Sequence, residues 1–555
     1  MERITRRLVI PVVFITACAT ALASAAVTEV PAFIPRPVKV QIASGAEGFP
    51  LGDSLPVCAK GDAKKAVLTA LTVAGVKSSS SFFTKHALAA VIDATKKDTL
   101  GAEGYTLVVS PGTITLTAAA PAGLFYGAQT LVQAIVKDTA GKPAIPSLSI
   151  TDTPRFSWRG LMFDPSRRFI TAADTKRLID LMAMHKFNIM HLHLTDDQGW
   201  RLEIKKYPRL TEVGSKRAES PVLGNRNAGD GKPCGGFYTQ AEIKDIVAYA
   251  KARFVTIIPE IEMPGHSSAA IAAYPWLGNQ DVPGFAPGVK TRGGVHSYTL
   301  TPSEKTFQYL DDVMTEVAAL FPDAPYIHIG GDECPKDQWK QSAFAQKVMA
   351  DNKLRNEHEL QSYFVGRIEK IVNAKGKRLI GWDEIQEGGL SKTATMMVWR
   401  DWQWAIMAVN HGNDIVMAPT SHTYFDYGQG DTPKDPSFEV IGGNIPLEKV
   451  YEFEPIPKEL TTPEQIKHVL GCQAQIWGEC AQNLAKIEYL AFPRACAFAE
   501  VAWTPKELKN TADFLKRLAG HLPKLDALKV NYRKNDGTAA QTGGTMTTPT
   551  RALIR

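Results

Sequence analysis

Long apolar segments are absent from most of this sequence. Beyond the N-terminus there is no run of 18 or more apolar residues, the length that a membrane-spanning helix requires. No run of lysine and arginine is interleaved with aromatic residues, and the formal net charge of +6 is small for 555 residues. The absence of a basic patch argues against nucleic acid as a partner, and nothing in the sequence indicates an oligomeric state.

Cysteine is also scarce, with seven residues in the whole sequence. They are Cys18, Cys58, Cys234, Cys334, Cys472, Cys480 and Cys496. Their spacing matches no zinc framework, and their pairing cannot be read from one sequence. An oxidising compartment would permit disulfides, although most of these side chains are expected to be small buried apolar groups. No repeat of solenoid type is present.

The N-terminus predicts export. Arg3, Arg6 and Arg7 precede the apolar stretch "LVIPVVFITACATALASAA", which ends in small residues. This order is typical of a cleaved signal peptide, predicted over residues 1–25, and places the mature protein in the periplasm or outside the cell. Two alternatives stay open: lipoprotein processing at Cys18, which would attach the protein to a membrane, and an uncleaved anchor.

Residues 27–152 predict a separate small α+β domain. The stretch "GYTLVVSPGTITLTAAA" has the alternation of a β-hairpin that turns at Pro111-Gly112. The following "AGLFYGAQTLVQAIV" has helical spacing, with Leu124, Ala128, Leu131 and Val132 on one face. Pro154 marks the predicted domain boundary.

From residue 153 to 532 the pattern changes to short apolar strands that alternate with amphipathic helices. The predicted strands are 160–164, 188–195, 255–262, 326–333, 378–384, 395–400, 414–420 and 472–479. Helices are predicted at 172–186, 239–254 and 303–321. Eight such strands predict an α/β fold of the (β/α)8 TIM-barrel type. The tail over 533–555 is rich in glycine and threonine and is expected to be flexible.

Acidic residues follow most of the predicted strands. They are Asp164, Asp196, Asp197, Glu262, Asp332, Glu333, Asp383, Glu384 and Glu479. The C-terminal strand ends of a barrel meet at one mouth, where active sites form. Asp332 and Glu333, in "YIHIGGDECPKDQW", therefore belong to a converging polar cluster. Adjacent side chains diverge along a strand, so that these two are poorly placed to flank one bond as acid and protein nucleophile. An ion-pair network at the barrel rim is the alternative interpretation.

Histidines and tryptophans add to this mouth. His191 and His193 have a metal-ligand spacing, but hydrogen-bonded barrel histidines are the favoured interpretation, and a metal-dependent hydrolase is the rival one. His266 follows another strand and could tune an acid. Trp382, Trp399 and Trp477 lie at or beside strand ends, where aromatic rings can line a sugar site as well as fill a core.

Seven motifs, in order from Arg159 to Glu479, resemble glycoside hydrolase family 20. They are "RGLMFDPSRRF", "HLHLTDDQGWRLEI", "PEIEMPGH", "HIGGDECP", "GWDEI", "HTYFDYGQG" and "QIWGE". The resemblance implies an exo-acting β-N-acetylhexosaminidase that removes terminal GlcNAc or GalNAc from oligosaccharides, chitooligosaccharides or glycans. It also implies retention of configuration without a protein nucleophile, because the substrate's 2-acetamido oxygen attacks C1 to form an oxazolinium intermediate.

The resemblance also implies residue roles. Glu333 is the general acid and then the base, Asp332 orients the acetamide N–H, and Tyr424 hydrogen-bonds the acetamide oxygen. Sugar hydroxyls are bound by Arg167, Asp426 and Glu479. The rings of Trp382, Trp399 and Trp477 enclose the acetamido group and stack on the sugar. Asp196 and His266 form a charge chain that supports Glu333. No metal or cofactor is implied.

One residue departs from the family pattern. Arg168 stands where family members commonly carry histidine, next to the intact Arg167. Two rival functions also stay open. A conventional two-carboxylate glycosidase would use Asp383 or Glu384 as nucleophile. A sugar-binding protein without activity would keep the pocket but would not need the proton donor in the Asp332-Glu333 pair.

Overall fold

The computed structural model describes residues 25–222, 225–430 and 442–534. The predicted signal peptide, including Cys18, and the predicted C-terminal tail lie outside the described residues except for Ala25 and residues 533–534. Among the described helices, none has both the length and the apolar character needed to cross a bilayer. The six cysteines of the described part are free thiols, and four of them are buried.

The N-terminal unit is a seven-stranded mixed sheet with two helices against one face. Its strands are β1 (Lys39–Ile42), β2 (Leu55–Cys58), β3 (Ser78–Ser80), β4 (Leu88–Ile92), β5 (Tyr105–Ser110), β6 (Thr113–Ala118) and β7 (Leu148–Asp152). Their spatial order is β1-β7-β5-β6-β4-β2-β3. The predicted hairpin is confirmed, because β5 and β6 pair antiparallel around Pro111-Gly112.

The two helices of this unit are α1 (Gly61–Val73) and α2 (Pro121–Gln133). The predicted apolar face of α2 is buried at Leu124, Ala128 and Leu131. Proline at the first position of α2 favours helix initiation, because its missing N–H would have no partner there. A smaller three-stranded sheet (Phe49–Pro50, Val136–Lys137 and Pro143–Ile145) lies beside the main one.

The rest of the chain is built around a closed barrel of eight parallel strands, as predicted. They are β8 (Trp158–Phe163), β9 (Ile189–His193), β10 (Thr256–Glu260), β11 (Tyr326–His328), β12 (Arg378–Trp382), β13 (Thr395–Val398), β14 (Ile415–Met417) and β15 (Val469–Ile476). Pairing of β15 with β8 closes the ring. The strands are buried on both faces, which explains their nearly continuous apolar sequences.

Helices cover the outside of the barrel. Those of eight or more residues are α3 (Ala172–Met184), α4 (Gln240–Lys251), α5 (Glu304–Leu320), α6 (Ala343–Asp351), α7 (Glu357–Ala374), α8 (Trp402–His411), α9 (Leu484–Ala491), α10 (Arg494–Trp503) and α11 (Thr511–Ala527). The side chains of Thr171, Thr239 and Ser303 cap the N-termini of α3, α4 and α5. One crossover is irregular: the fully described segment between β12 and β13 contains a 3-10 turn, Asp383–Gln386, and no α-helix.

Shorter elements complete the loops. The short helices are Lys97–Leu100, Arg209–Glu212, Ser268–Ala273, Asp337–Gln341, Thr420–Thr423, Leu447–Glu452 and Pro463–Ile466. Two-stranded ribbons pair Thr195–Asp196 with Gly199–Trp200, Lys216–Arg217 with Cys234–Gly235, and Pro221–Val222 with Asn225–Gly229. The first ribbon holds Asp196 and Asp197 just beyond β9.

One fully buried and one partly buried ion pair join the N-terminal unit to the barrel. Lys186 Nζ lies 2.9 Å from Asp152 Oδ2, and both side chains are completely buried. Arg159 donates to both carboxylate oxygens of Glu103, at 2.8 and 2.9 Å. Because each pair spans the two units, breaking one would leave an uncompensated charge at their interface.

Candidate active site

The Asp332-Glu333 pair lies in a loop and not in the strand predicted for it. Strand β11 ends at His328, and Gly330 and Gly331 follow with φ values of 67° and 91°. Only glycine adopts this left-handed region freely, and a Cβ on Gly330 would come within 1.8 Å of Glu262 Oε2. The two glycines therefore end the strand early, and the predicted end at residue 333 is wrong for this physical reason.

Both carboxylates approach the same imidazole. Nε2 of His266 lies 3.4 Å from Glu333 Oε2 and 3.7 Å from Asp332 Oδ2. The side chain of Glu333 is 42% exposed, whereas that of Asp332 is 12% exposed. Burial raises the pKa of Asp332, and the carboxylates of Glu260 and Glu333 act in the same direction against the opposing effect of His266. The adjacent acids thus share a partner instead of diverging.

The other ring nitrogen of His266 faces two further carboxylates. Its Nδ1 lies 3.0 Å from Asp197 Oδ2 and 3.3 Å from Asp196 Oδ1. Burial opposes the charged form of His266, but the neighbouring carboxylates outweigh it and raise the pKa well above its usual value. A continuous path of polar contacts therefore links this carboxylate pair through His266 to Glu333.

Asp197 is among the acidic residues that follow predicted strands, but it is not one of the site residues that the sequence predicts. Its Oδ1 accepts a hydrogen bond from the backbone N–H of Ser268 at 2.9 Å. Both of its oxygens are thus fixed by the segment after β10. Its position after Asp196 in "TDDQ" was the available signal, but the sequence does not show which of the two acids is nearer to His266.

Asp196 also binds the predicted sugar ligand Arg167. Nη2 of Arg167 lies 2.7 Å from Asp196 Oδ2, and Nη1 lies 3.0 Å from Asp164 Oδ2. Arg167 Nε donates to Gln198 Oε1 at 2.8 Å, and the guanidinium lies 5.0 Å from the ring centroid of Trp477. These contacts leave the Arg167 side chain in one fixed orientation. The departing residue Arg168 instead donates to the backbone oxygen of Pro221 at 3.1 Å.

Four aromatic rings form one wall of the site. The centroids of Trp382 and Trp477 are 5.8 Å apart, those of Trp477 and Tyr424 are 6.3 Å apart, and Trp399 stacks on Tyr424 at 6.3 Å. Trp382 donates from Nε1 to Glu260 at 2.9 Å, and Trp399 donates to Glu384 at 2.9 Å. Burial, with nearby carboxylates, raises the pKa of Tyr424 well above its usual value, so that the phenol stays a neutral donor.

Several buried polar atoms of this region have no hydrogen-bond partner among the described residues. They are Asp332 Oδ1, Asp426 Oδ1, Glu479 Oε2 and both carboxylate oxygens of Glu262. Unpartnered buried polar atoms are rare in folded proteins because each costs free energy. Their concentration at the C-terminal strand ends indicates a site that a polar ligand completes.

Glu260 organises the histidines below the site and was not predicted as a site residue. Its carboxylate lies 2.9 Å from His191 Nε2 and 2.8 Å from His328 Nδ1, and it also contacts His193 Nδ1. Burial raises its pKa, but the three imidazoles outweigh this and hold the pKa well below its usual range. His193 Nε2 in turn lies 2.8 Å from Asp196 Oδ2. The two predicted barrel histidines are therefore connected to the Arg167 site through carboxylates.

The carboxylates proposed for a rival mechanism have structural partners. Asp383 Oδ2 accepts from the backbone N–H groups of Trp399 and Arg400, both at 2.9 Å. Glu384 accepts from the Trp399 indole, and burial together with Asp332 and Asp383 raises its pKa to about 9. A neutral Glu384 is a poor nucleophile at neutral pH, and Asp383 is occupied in fixing the end of β13.

The sequence matches two family models. The model "Glycosyl hydrolase family 20, catalytic domain" matches residues 156–506, and "Glycosyl hydrolase family 20, domain 2" matches residues 30–153.

Three similar proteins are β-hexosaminidases from bacteria. The protein from Porphyromonas gingivalis is 46% identical over 78% of this chain and 54% of its own length. That from Vibrio furnissii is 38% identical over 72% of this chain and 65% of its own length. The Akkermansia muciniphila protein is 35% identical over 76% of this chain and 84% of its own length. This chain thus spans between about half and two-thirds of the first two relatives.

Solved structures similar to this chain are also GH20 enzymes. The GH20 exo β-N-acetylglucosaminidase from Vibrio harveyi, in complex with N-acetylglucosamine, has a TM-score of 0.79 and 34% identity over 92% of this chain and 79% of that one. The GH20 β-N-acetylhexosaminidase from Streptomyces coelicolor A3(2) has a TM-score of 0.74 and 28% identity over 91% of this chain and 98% of that one.

Proposed function

This chain belongs to glycosyl hydrolase family 20, and from that membership we propose that it is an exo-acting β-N-acetylhexosaminidase. It removes terminal, non-reducing GlcNAc or GalNAc from oligosaccharides, chitooligosaccharides or glycans. The reaction retains configuration, and the nucleophile is the substrate's own 2-acetamido oxygen, which gives an oxazolinium intermediate.

One observation carries the proposal: Asp332 and Glu333 face the same nitrogen of His266. Two carboxyl groups turned toward one imidazole cannot stand on opposite faces of a glycosidic bond, as an acid and a protein nucleophile must. A single acid with an acetamide-orienting neighbour fits this arrangement. Glu333, the more exposed of the pair, protonates the leaving oxygen and later activates water.

The remaining predicted residues then have distinct tasks. Asp332 accepts a hydrogen bond from the acetamide N–H and stabilises its growing positive charge, and Tyr424 donates to the acetamide oxygen. Holding the acetamide in attack geometry removes the entropy cost of recruiting an external nucleophile. His266, with Asp196, supports Glu333 as it changes between its acid and base forms.

Substrate binding uses the guanidinium of Arg167, two acidic side chains with unpartnered oxygens, and the aromatic wall. Arg167, Asp426 and Glu479 bind sugar hydroxyls, and the free oxygens of the two acids are the matching acceptors. Trp382, Trp399 and Trp477 enclose the acetamido methyl and stack against the apolar face of the ring. The pocket thereby selects for a 2-acetamido sugar at the non-reducing end.

The test compares three p-nitrophenyl glycosides under one set of conditions: those of GlcNAc, GalNAc and glucose. We expect turnover of one or both acetamido sugars, and none above background for glucose, because it lacks the internal nucleophile. A thiazoline that mimics the oxazolinium should inhibit competitively. Equal turnover of the glucoside, or a trapped ester between a side chain and the anomeric carbon, would refute substrate assistance.

We also propose that the protein is exported, on the basis of the N-terminal signal pattern. Processing after residue 25 gives a soluble periplasmic or extracellular protein, whereas processing at Cys18 gives a membrane-attached lipoprotein. Mass spectrometry of the mature N-terminus distinguishes the two, and Cys18→Ser should release the protein from membranes only in the second case. A chain that keeps Met1 and stays in the cytoplasm would contradict export.

A further inference from the structure

Two histidines and a cysteine meet in a buried cluster outside the candidate active site. His185 follows α3, Cys496 lies in α10 and His521 lies in α11, and each residue is at most 1% exposed. Nε2 of His185 lies 3.0 Å from Nε2 of His521 and 3.6 Å from Sγ of Cys496. His185 is followed closely by the N-terminal end of β9, so the cluster lies at the barrel end opposite Asp332 and Glu333.

The spacing of the three atoms is that of ligands around one metal ion. Metal–nitrogen bonds of about 2.0–2.1 Å and metal–sulfur bonds of about 2.3 Å place neighbouring ligand atoms roughly 3.3–3.8 Å apart. The sulfur–nitrogen distance of 3.6 Å is within this range, and the nitrogen–nitrogen distance of 3.0 Å needs only a small opening. All three ligand atoms lie within 4.8 Å of one another.

The hydrogen bonds of the cluster also favour a cation. His185 Nδ1 donates to the backbone oxygen of Leu181 at 2.7 Å, which leaves the lone pair of Nε2 directed at the other two side chains. This is the outer hydrogen bond that metal-binding histidines usually make. In the absence of an ion, the lone pair of His185 Nε2 is the one acceptor for two donors, the Cys496 thiol and the His521 ring.

We propose that His185, Cys496 and His521 bind one monovalent copper ion in a three-coordinate structural site. Imidazole and thiolate are ligands that copper(I) accepts. On binding, the Cys496 thiol loses its proton to solvent as the copper–sulfur bond forms, so that the site becomes neutral. A divalent ion bound by one thiolate and two neutral imidazoles would leave one uncompensated positive charge in this buried position.

The carboxylate of Glu500, on the same helix as Cys496, is not free to balance a second charge. Glu500 lies one helical turn after Cys496, but both of its oxygens are held by Arg517 at 2.7 Å. Its Oε1 also accepts from Tyr451 at 2.8 Å. The charge balance therefore favours Cu⁺ over Zn²⁺, and the bound ion would tie α11 to α3 and α10.

The experiment uses the full chain in an oxygen-free solution. Ascorbate keeps the copper as Cu⁺, and the coloured chelator bicinchoninate buffers its free concentration. We expect the wild type to remove one equivalent of Cu⁺ from the chelator and its Tm to rise. Cys496→Ser and His521→Gln should each lose that equivalent and the Tm shift. Cys472→Ser is the matched control, because Cys472 is equally buried and belongs to no group of three metal-ligating side chains in the described part of the chain.

Wild-type protein alone gives a second measurement that does not depend on the variants folding. X-ray absorption at the copper edge should show one sulfur and two imidazole nitrogens. Failure to retain Cu⁺, or retention undiminished in Cys496→Ser, would overturn the site. A parallel titration with Zn²⁺ tests the charge argument, and tighter binding of zinc than of copper would overturn the copper assignment. Turnover of p-nitrophenyl glycosides should be equal with and without copper, which separates this proposal from the proposed activity.

Discussion

Asp197 accepts a hydrogen bond from Nδ1 of His266 at 3.0 Å, a shorter contact than the 3.3 Å from the same nitrogen to Asp196. The two acids also differ in their other partners. Asp196 lies 2.7 Å from Arg167 and 2.8 Å from His193, whereas Asp197 accepts from a backbone N–H. Asp197 is therefore the carboxylate dedicated to His266, and Asp196 serves both the histidine and the sugar-binding arginine.

Asp197→Asn should consequently affect kcat and its pH dependence. Loss of a carboxylate beside His266 lowers the pKa of the imidazole, so the limb of the pH–rate profile that reports His266 should move to lower pH. We expect kcat to fall by at least about tenfold, or about 1.4 kcal/mol of transition-state stabilisation. Steady-state kinetics from acid to alkaline pH measure both effects.

Asp196→Asn is the matched comparison. Because it loosens Arg167, it should raise KM more than Asp197→Asn does. Identical kinetic profiles for the two variants would contradict the division of roles between the two acids.

Glu333→Gln should remove most turnover while substrate still binds. The amide keeps the size of the side chain but cannot donate the proton that the leaving oxygen needs. Loss of a general acid typically costs about 100- to 10,000-fold, and the loss should be largest for poorly activated leaving groups. Turnover of GlcNAc disaccharides and of p-nitrophenyl GlcNAc gives this comparison, and an equal loss on both substrates would argue against the acid role.

Asp332→Asn should damage positioning of the acetamide. An amide at this position carries no negative charge to stabilise the acetamide N–H as the oxazolinium forms. We therefore expect a lower kcat together with weaker inhibition by a thiazoline, since the inhibitor resembles that charged intermediate. Calorimetric binding of the thiazoline to the variant measures the second effect. Unchanged turnover would refute the substrate-assisted role of Asp332.

Much of the architecture could be predicted from local sequence patterns. The eight barrel strands are short apolar runs with polar ends, and all eight occur near the predicted positions. The family predicted from the seven motifs is confirmed by both family models. The sequence predicts that β11 continues to residue 333, whereas the strand ends at His328. The apolar pattern does not show that Gly330 and Gly331 adopt a left-handed backbone conformation, which interrupts the strand.

The contacts between individual side chains were harder to predict from the sequence. Whether Asp196 or Asp197 lies nearer to His266 depends on the small ribbon after β9, and a one-residue spacing cannot show it. Glu260 lies within the motif "PEIEMPGH", but its role depends on three imidazoles from β9 and β11 that only barrel closure brings together. His185, Cys496 and His521 come from distant segments, so no local motif marks their cluster.

The Lys186–Asp152 pair should contribute strongly to the docking of the two units. Asp152 also accepts hydrogen bonds from the Tyr105 hydroxyl at 2.7 Å and from the Trp503 indole at 3.0 Å. Loss of the Asp152 charge would leave the buried Lys186 ammonium without its counter-ion. Asp152→Asn or Lys186→Met should lower the free energy of unfolding by about 3–5 kcal/mol. Urea denaturation measures the loss. The double variant should lose less than the sum of the single variants, and strict additivity would mean that the pair is not coupled.

Glu384 should make the protein less stable as pH rises. Its pKa in the folded protein is about 9, above the usual value of 4.5, so between these pH values the folded state holds a proton that the unfolded state has released. The stabilising effect of that proton is complete below the unfolded pKa and is lost as pH rises toward 9, with a slope of at most about 1.4 kcal/mol per pH unit. Glu384→Gln keeps the acceptor for the Trp399 indole but cannot ionise, so its stability should fall less between pH 6 and pH 8. Urea denaturation at both pH values, with the exposed Glu464→Gln as control, measures the difference. Parallel losses in the wild type and Glu384→Gln would show that Glu384 is already ionised at neutral pH, which would also restore it as a candidate nucleophile.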